Sequence, residues 1–189
     1  MTNSIRIIAG KFKGRKIPVL ERPGLRPTPD RVRETLFNWL MMQVRGARCL
    51  DLCAGTGALG LEALSRGADH VVAIDQDDAI IKNIHQTAKT FGCEDQITLK
   101  QAALPDCSID TSSGFDLIFL DPPYQLNLYQ ACLDRIDQEQ WLQPDGLIYI
   151  ELPKKHPFRD EIDPGRIHRE GKAGQIWYAL LEAKKANHG

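Results

Sequence analysis

Between residues 48 and 152, short apolar runs alternate with segments of helical periodicity, and this alternation is the strongest constraint on the fold. Helical patterns at about 58–65, 77–91 and 128–136 separate the runs. Strands that are apolar on both faces and alternate with helices are typical of a parallel sheet covered by helices on both sides. The predicted strands are RCLDL (48–52), HVVAID (70–75), QITLKQ (96–101), FDLIFL (115–120) and GLIYIEL (146–152).

Both ends of the chain depart from this alternation. Within residues 4–20, two short β-prone runs around Gly10 and Gly14 predict a hairpin. Residues 165–183 contain two further β-type runs joined by a glycine-containing turn, which predicts an antiparallel strand pair at one edge of the sheet. Thr28 and Pro29 predict the N-cap and first residue of a helix. We therefore predict a basic hairpin and linker at residues 1–27 and an α/β domain at residues 28–189.

Length and composition exclude several classes of protein. A chain of 189 residues can bury a core of its own as one α/β domain. No apolar run reaches the roughly 20 residues that a membrane-spanning helix needs. The first residues lack the pattern of a secretory signal peptide. The five cysteines are scattered, without a CxxC pair, which argues against disulfides and a zinc site. We expect a cytoplasmic protein that needs no metal.

The basic residues of the chain are concentrated at its N-terminus. Residues 1–35 contain nine Lys and Arg residues and three Asp and Glu residues, a net charge of +6, whereas the whole chain has a net charge of −1. A basic segment on an acidic body favours a site for a polyanion, although a solvated basic face is equally compatible with the charge alone. The predicted RNA contacts are Lys11, Lys13, Arg15, Lys16, Arg26, Thr28, Arg31 and Arg33.

A glycine-rich segment follows the first strand of the predicted sheet. DLCAGTGALG (51–60) contains Gly55, Gly57 and Gly60 in the spacing GxGxxG, and Asp75 ends the next strand. This combination is typical of sites that hold the ribose of an adenosine cofactor, because an acid at that place accepts hydrogen bonds from two hydroxyl groups. The pattern alone does not separate a nicotinamide dinucleotide from S-adenosylmethionine.

Two features favour S-adenosylmethionine. Asp51, in the strand before the glycines, suits a cofactor with a positively charged amino group better than one with a pyrophosphate. The antiparallel strand pair also stands where a dinucleotide fold continues with a second parallel half. Ala102 and Ala103 follow the third strand, where backbone groups would recognise adenine. The predicted cofactor contacts are Asp51, Cys53, Ala54, Gly55, Thr56, Gly57, Asp75, Gln76, Ala102, Ala103 and Asp121.

The fourth strand ends on DPPY, which comprises Asp121, Pro122, Pro123 and Tyr124. Ligands of open α/β sheets bind beyond the carboxyl ends of the strands, so this motif should face the cofactor. The Asp121 carboxylate and the Pro122 carbonyl group can accept N–H bonds from the exocyclic amine of a base and direct its lone pair towards a sulfonium methyl group. Tyr124 offers a ring on which an extruded base can stack. We predict that these four residues form the catalytic site.

Four segments together carry a resemblance to one protein family: RIIAGKFKGRKIPV, GLRPTPDRVRETLFNWL, LDLCAGTGALGLEALSRGA and DPPY. Over nearly its whole length the chain resembles the RsmD family of class I S-adenosylmethionine-dependent methyltransferases. The resemblance implies a Rossmann-like, mostly parallel seven-stranded sheet with helices on both faces. It also implies methyl transfer to N2 of a guanine in 16S ribosomal RNA, guanine 966, with S-adenosylhomocysteine as product. Family members often have Phe where Cys53 stands, which should change packing and leave the chemistry unchanged.

The resemblance favours 16S rRNA in an assembled or assembling 30S subunit as the substrate and a monomer without an obligate protein partner. The nearest alternative is a DNA or RNA adenine-N6 methyltransferase with the same DPPY motif. About 40 N-terminal residues are the only candidate for its target-recognition domain, which counts against it. A nicotinamide-dependent oxidoreductase is disfavoured by Asp51 and the antiparallel pair. An intact Asp121 argues against a non-catalytic RNA-binding module.

Overall fold

The computed structural model describes residues 3–23, 25 and 27–184. A small N-terminal sheet contains β1 (Ser4–Arg6) and β2 (Lys16–Pro18). The strands of the main sheet are β3 (Arg48–Leu52), β4 (His70–Asp75), β5 (Ile97–Gln101), β6 (Phe115–Leu120), β7 (Leu142–Pro153), β8 (Ile167–Ala173) and β9 (Ile176–Glu182). The α-helices are α1 (Asp30–Trp39), α2 (Ala58–Ser65), α3 (Asp78–Phe91), α4 (Tyr129–Gln138) and α5 (Phe158–Glu161). None of the described helices is long and apolar enough to cross a membrane.

The main sheet has the strand order β5-β4-β3-β6-β7-β9-β8. The first five strands in this order are parallel to one another, whereas β9 runs antiparallel to both of its neighbours. The predicted mostly parallel seven-stranded sheet and its antiparallel C-terminal pair are confirmed. β7 begins at Leu142, earlier than the predicted residue 146, because Leu142 pairs with Phe115 before a shift in register. Gln143, Pro144 and Asp145, which are untypical of a buried strand, hide this continuation in the sequence.

Helices cover both faces of the main sheet, as predicted. Successive residues of a strand point to opposite faces, so Cys49 of β3 packs in a core with α1, α2 and α3, whereas Leu50 and Leu52 pack in a second core with α4 and α5. The central strands are therefore mostly apolar on both faces, which explains why the bounds of β3, β4 and β6 could be read from the sequence.

The parallel register brings the carboxyl ends of the central strands to one edge of the sheet. Leu52, the last residue of β3, pairs with Ile74 of β4 and with Leu120 of β6. The segments that follow these three strands therefore start side by side. Strand order reverses between β3 and β6, and a crevice for ligands forms at such a reversal.

Helix α1 begins later than the sequence predicts. Its first residue is Asp30, the preceding residue is Pro29, and no side chain caps the helix. The Pro29 carbonyl group accepts the first helical bonds, from the N–H groups of Val32 and Arg33. The prediction that Thr28 is the N-cap is therefore wrong. Thr28 lies two residues before the first helical residue, where it is buried.

The N-terminal extension packs into the same core as the rest of the chain. Ile7, Phe12 and Ile17 are buried there beside residues of α1 and α2. The buried Glu62 carboxylate of α2 accepts the N–H groups of Ile8 and Ala9 at 2.9 and 3.1 Å. The predicted boundary at residue 27 therefore does not mark a gap in packing.

Gly10 and Gly14 form a matched pair for testing how closely the extension approaches α2. Both have positive φ, +83° and +80°, but a Cβ on Gly10 would lie 1.8 Å from the Ser65 carbonyl oxygen, whereas a Cβ on Gly14 would have no atom within 4 Å. Gly14→Ala should lower the free energy of unfolding by about 1–2 kcal/mol, the cost of the left-handed conformation. Gly10→Ala should lower it by clearly more in urea denaturation. Equal decreases would contradict the close approach.

Candidate active site

A cavity of about 730 Å³ opens at the carboxyl ends of β3, β4 and β6. Most of the predicted site residues line it, namely Asp51, Cys53, Ala54, Gly55, Thr56, Asp75, Gln76, Ala102, Asp121, Pro122, Pro123 and Tyr124. Two predicted cofactor contacts, Gly57 and Ala103, are not among the lining residues. Gly57 has φ +75° at the start of α2, and a Cβ there would come within 3.0 Å of Ile84, so its role is to shape the turn. Ala103 is exposed beyond β5.

The loop between β3 and α2 turns tightly enough to leave its backbone exposed to the cavity. Cys53, Gly55 and Gly57 all have positive φ, a conformation that glycine adopts without strain. The Ala54 N–H donates to the Ile74 carbonyl group at 2.8 Å, which fixes the loop to the end of β4. Burial raises the pKa of the Cys53 thiol, so this residue contributes a neutral surface.

Asp75 ends β4 and anchors the glycine loop. Its two carboxylate oxygens accept the N–H groups of Gly55 and Asp77, each at 3.0 Å. A carboxylate offers about four acceptor positions, so each oxygen can accept a further bond from a ligand in the cavity. Two hydroxyl groups on adjacent carbons fit such a pair of acceptors.

Asp51 is a buried acid on the floor of the cavity. Its side chain accepts the Gly60 N–H at 3.1 Å and is 3% exposed. Burial raises the pKa of Asp51 to about 7; the Gly60 N–H opposes this shift and the charge of Asp75 adds to it. No Lys or Arg in the described part of the chain forms an ion pair with Asp51. A ligand with a cationic group would favour the ionised form.

The DPPY motif leaves β6 and lines the opposite side of the cavity. Asp121 is half-buried, Pro122 is buried, and Tyr124 begins a 3-10 turn. The Pro122 carbonyl oxygen accepts the Tyr129 hydroxyl at 3.2 Å. Tertiary packing thus brings the first residue of α4 against the motif. A carbonyl oxygen has two lone pairs, so the second can still accept a bond from a ligand.

Acidic groups concentrate around Asp121. Burial raises the pKa of Asp121 well above its ordinary value, and the nearby charges of Glu151 and Asp51 raise it further. Glu151 was not predicted as a site residue. In the sequence it is only an acid within the apolar run GLIYIEL, and the pairing of β6 with β7 is what brings it beside the motif. The cavity therefore favours ligands that carry positive charge or N–H donors.

The linker before α1 forms one wall of the cavity, a contribution that the sequence did not reveal. Arg22, Pro23, Leu25, Pro27 and Thr28 line the cavity. The Arg22 guanidinium pairs with Asp77 at 2.8 Å, which ties the linker to the segment after β4. The linker therefore belongs to the cavity as well as to the basic extension.

The predicted RNA contacts lie in different surroundings. Lys13, Lys16 and Arg31 are exposed. Lys11 donates to Gln96 at 2.6 Å, and Arg15 lies 4.3 Å from the Phe91 ring and donates to carbonyl groups at the end of α3. Arg26 lies outside the described residues, and Thr28 lines the cavity.

The prediction that Arg33 contacts RNA is wrong. This side chain is fully buried and pairs with Asp30 at 2.6 Å and with Glu62 at 3.4 Å. It also donates to the Arg6 carbonyl group at 3.0 Å. Arg33 balances the charge of the glutamate that holds the N-terminal extension, a long-range role that the local sequence does not show.

Known proteins share this fold and much of this sequence. The model of the family described as conserved hypothetical protein 95 matches residues 5–182. The ribosomal RNA small subunit methyltransferase D of Haemophilus influenzae is 42% identical over 183 residues, which cover 94% of this chain and 93% of that protein. A solved Escherichia coli structure, described as a putative methyltransferase, has a TM-score of 0.79 and 34% identity, and the match covers 96% of this chain and 99% of that one.

A more distant structure shares the fold alone. The 16S rRNA N2 G1207 methyltransferase of Thermus thermophilus, solved with S-adenosylmethionine and guanosine, has a TM-score of 0.76 and 19% identity. The match covers 97% of this chain and 50% of that one. The full-length similarity to the Haemophilus influenzae and Escherichia coli proteins extends over the cavity and the DPPY motif. The chain therefore belongs to the ribosomal RNA small subunit methyltransferase D (RsmD) family and is a methyltransferase.

Proposed function

We propose that this protein transfers a methyl group from S-adenosylmethionine to the exocyclic N2 of a guanine in 16S rRNA, and that family resemblance identifies this base as guanine 966. The observation that carries the proposal is that Asp51, Asp75 and the DPPY motif share one cavity. Asp75 and Asp51 suit a nucleoside that carries an amino acid moiety, and the DPPY motif suits an aromatic amine. The enzyme would act as a cytoplasmic monomer on the 30S subunit during or after assembly.

The acids of the cavity fit the cofactor at two points. Asp75 has acceptor capacity left for both ribose hydroxyls, and the buried Asp51 gains a counter-charge from the amino group of the methionine moiety. Ala102, at the end of β5, lines the place expected for adenine. When bound, the cofactor supplies a methyl group on a sulfonium sulfur.

The DPPY motif supplies the acceptors for the target amine. The lone pair of an exocyclic amino group is delocalised into the base and is a poor nucleophile. N–H bonds to the Asp121 carboxylate and the Pro122 carbonyl oxygen would hold the nitrogen with its lone pair towards the methyl group. These bonds also favour ionised Asp121, which offsets the effect of burial. Acceptors that are already in place need no reorganisation during the reaction.

The extruded guanine would stack on Tyr124, which lines the cavity. Base stacking on an aromatic ring contributes about 1–3 kcal/mol. The Tyr124 hydroxyl donates to Glu151 at 3.3 Å. Since stacking uses the ring and the hydroxyl only orients it, Tyr124→Phe should have a small effect and Tyr124→Ala a large one on substrate engagement.

Cofactor affinity should depend on the protonation of Asp51. Its pKa of about 7 in the free protein should fall when a cationic amino group binds beside it. Binding then requires loss of a proton below pH 7, so affinity should fall about fivefold between pH 7 and pH 6. Calorimetry of S-adenosylmethionine binding measures this, and Asp51→Asn should lose most of the dependence. The same pH dependence in both proteins would contradict the assignment of Asp51.

RNA affinity should depend on the exposed basic residues of the extension. Lys13→Gln/Lys16→Gln should flatten the log–log salt dependence of binding by about 0.7–0.9 for each Lys–phosphate ion pair that the substitutions remove. The matched control is Arg45→Gln/Arg169→Gln, which removes two exposed charges elsewhere on the molecule. Equal salt slopes for the two double variants would show that the extension is only a solvated basic face.

The methyl transfer itself should depend on Asp121. Asp121→Ala removes one preorganised acceptor and should lower the single-turnover rate about 10²–10³-fold, whereas Asp121→Asn, which keeps an acceptor oxygen, should have a smaller effect. The assay follows labelled methyl groups into 16S rRNA, offered as naked RNA and as 30S particles. Cofactor affinity should stay within a few-fold of wild type.

Asp116 provides the control on the same strand. It lies near the amino end of β6, where it accepts the Arg48 N–H at 2.7 Å, far from the carboxyl edge. Asp116→Asn should keep the wild-type rate per folded molecule. An Asp121→Ala enzyme that methylates guanine as fast as wild type would leave the motif without a catalytic role.

A further inference from the structure

Glu151 is a buried acid beside the DPPY motif that no step described so far uses. It is 3% exposed and lies in β7. The preceding residue, Ile150, pairs with Leu120 of β6, the residue before Asp121. Asp121 and Glu151 are the residues that come directly after this pair. Because the two strands are adjacent and parallel, the two acids lie side by side at the carboxyl edge of the sheet.

Both the side chain and the backbone of Glu151 contact tyrosines around the motif. The carboxylate accepts the Tyr149 hydroxyl at 2.8 Å and the Tyr124 hydroxyl at 3.3 Å. The backbone carbonyl accepts the Tyr129 hydroxyl at 2.9 Å, and this hydroxyl also contacts the Pro122 carbonyl oxygen. Glu151 thus holds the stacking ring and, through Tyr129, the carbonyl group proposed to accept the amine.

The charge of Glu151 has no basic counterpart. Within residues 3–23, 25 and 27–184, no Lys, Arg or His forms an ion pair with it. The titratable groups that face the two acids come from several elements. They are Asp51 of β3, Cys53 after β3, Tyr124 of the motif, Tyr129 of α4, Tyr149 of β7 and His156 after β7. A second full negative charge at this place is therefore unfavourable.

We propose that Glu151 is a positioning residue for methyl transfer, which holds the Tyr124 ring in the cavity and shares a single negative charge with Asp121. This inference rests on the roles proposed above for Asp121 and Tyr124. Two adjacent carboxyl groups titrate as a pair, and the second ionisation is disfavoured. In the free protein this charge resides on Glu151, whose carboxylate accepts two tyrosine hydroxyls, so Asp121 ionises against it at a higher pH.

Glu151→Gln separates the charge of this residue from its shape. The amide keeps the size of the side chain and one acceptor oxygen for the tyrosine hydroxyls, but it cannot ionise. Activity requires ionised Asp121 and is lost as the pH falls through the pKa of that group. Because the neighbouring charge raises that pKa, its removal should shift the acid limb of the single-turnover rate to lower pH, by about one unit or more.

Glu62→Gln is the matched control, since Glu62 is equally buried but lies outside the cavity, in contact with Arg33 and Arg66. It should lower thermal stability and leave the acid limb in place. The second readout is the titration of the Asp121 carboxyl group, followed by carbon NMR in the protein without RNA. Its midpoint should fall in Glu151→Gln and stay unchanged in Glu62→Gln.

The two readouts separate failure of this inference from failure of the proposed function. An unchanged Asp121 midpoint and an unchanged acid limb in Glu151→Gln would overturn the shared charge. A lowered midpoint supports the inference even if the wild-type protein does not methylate 16S rRNA, a result that would instead refute the proposed guanine-N2 activity. Equal shifts in Glu151→Gln and Glu62→Gln would also overturn it, since any buried acid would then have the same effect.

Discussion

The in-register pairing of parallel strands is the constraint on which the candidate site depends. Four neighbouring strands are aligned at one level by the pairs Ile74 of β4 with Leu52 of β3, Leu52 with Leu120 of β6, and Leu120 with Ile150 of β7. The residues that come after this level therefore meet at one edge of the sheet. Each strand can hold this register because it is buried on both faces. A slip by one residue would exchange the two faces of a strand. The glycine loop and the DPPY motif are thus placed by the packing of the apolar side chains of these strands.

The electrostatics of the site follow from the buried acids that lie together at this edge of the sheet. Asp51, Asp121 and Glu151 are acids whose pKa values are raised, first of all by burial. A carboxyl group with a raised pKa in the folded state stabilises the fold less as pH rises from its ordinary pKa to the raised one. Ionisation of these acids at neutral pH therefore lowers the stability of the fold, and a cationic ligand with N–H donors would offset this loss. Such a loss at the cavity is consistent with a site organised for a cationic cofactor and an amine.

Much of this site could be predicted from the sequence because its parts are local. The glycine loop, Asp75 and DPPY each stand at the end of an apolar run, and the α/β alternation predicts that such ends converge. Arg33, Glu151 and the linker could not be predicted correctly, since their roles depend on contacts with distant residues. Arg33 forms an ion pair with Glu62 of another helix, and Glu151 lies beside Asp121 only because β6 pairs with β7. An acid in an apolar strand was the one local signal for Glu151.

The most direct test of the account is mass mapping of methylated guanines in 16S rRNA from cells that lack this protein. We expect the loss of a single N2-methylguanine, restored by the wild-type gene and not by a gene encoding Asp121→Ala at equal protein levels. An unchanged pattern of guanine methylation in the deletion strain would contradict it, and so would the loss of a methyladenine in place of the methylguanine.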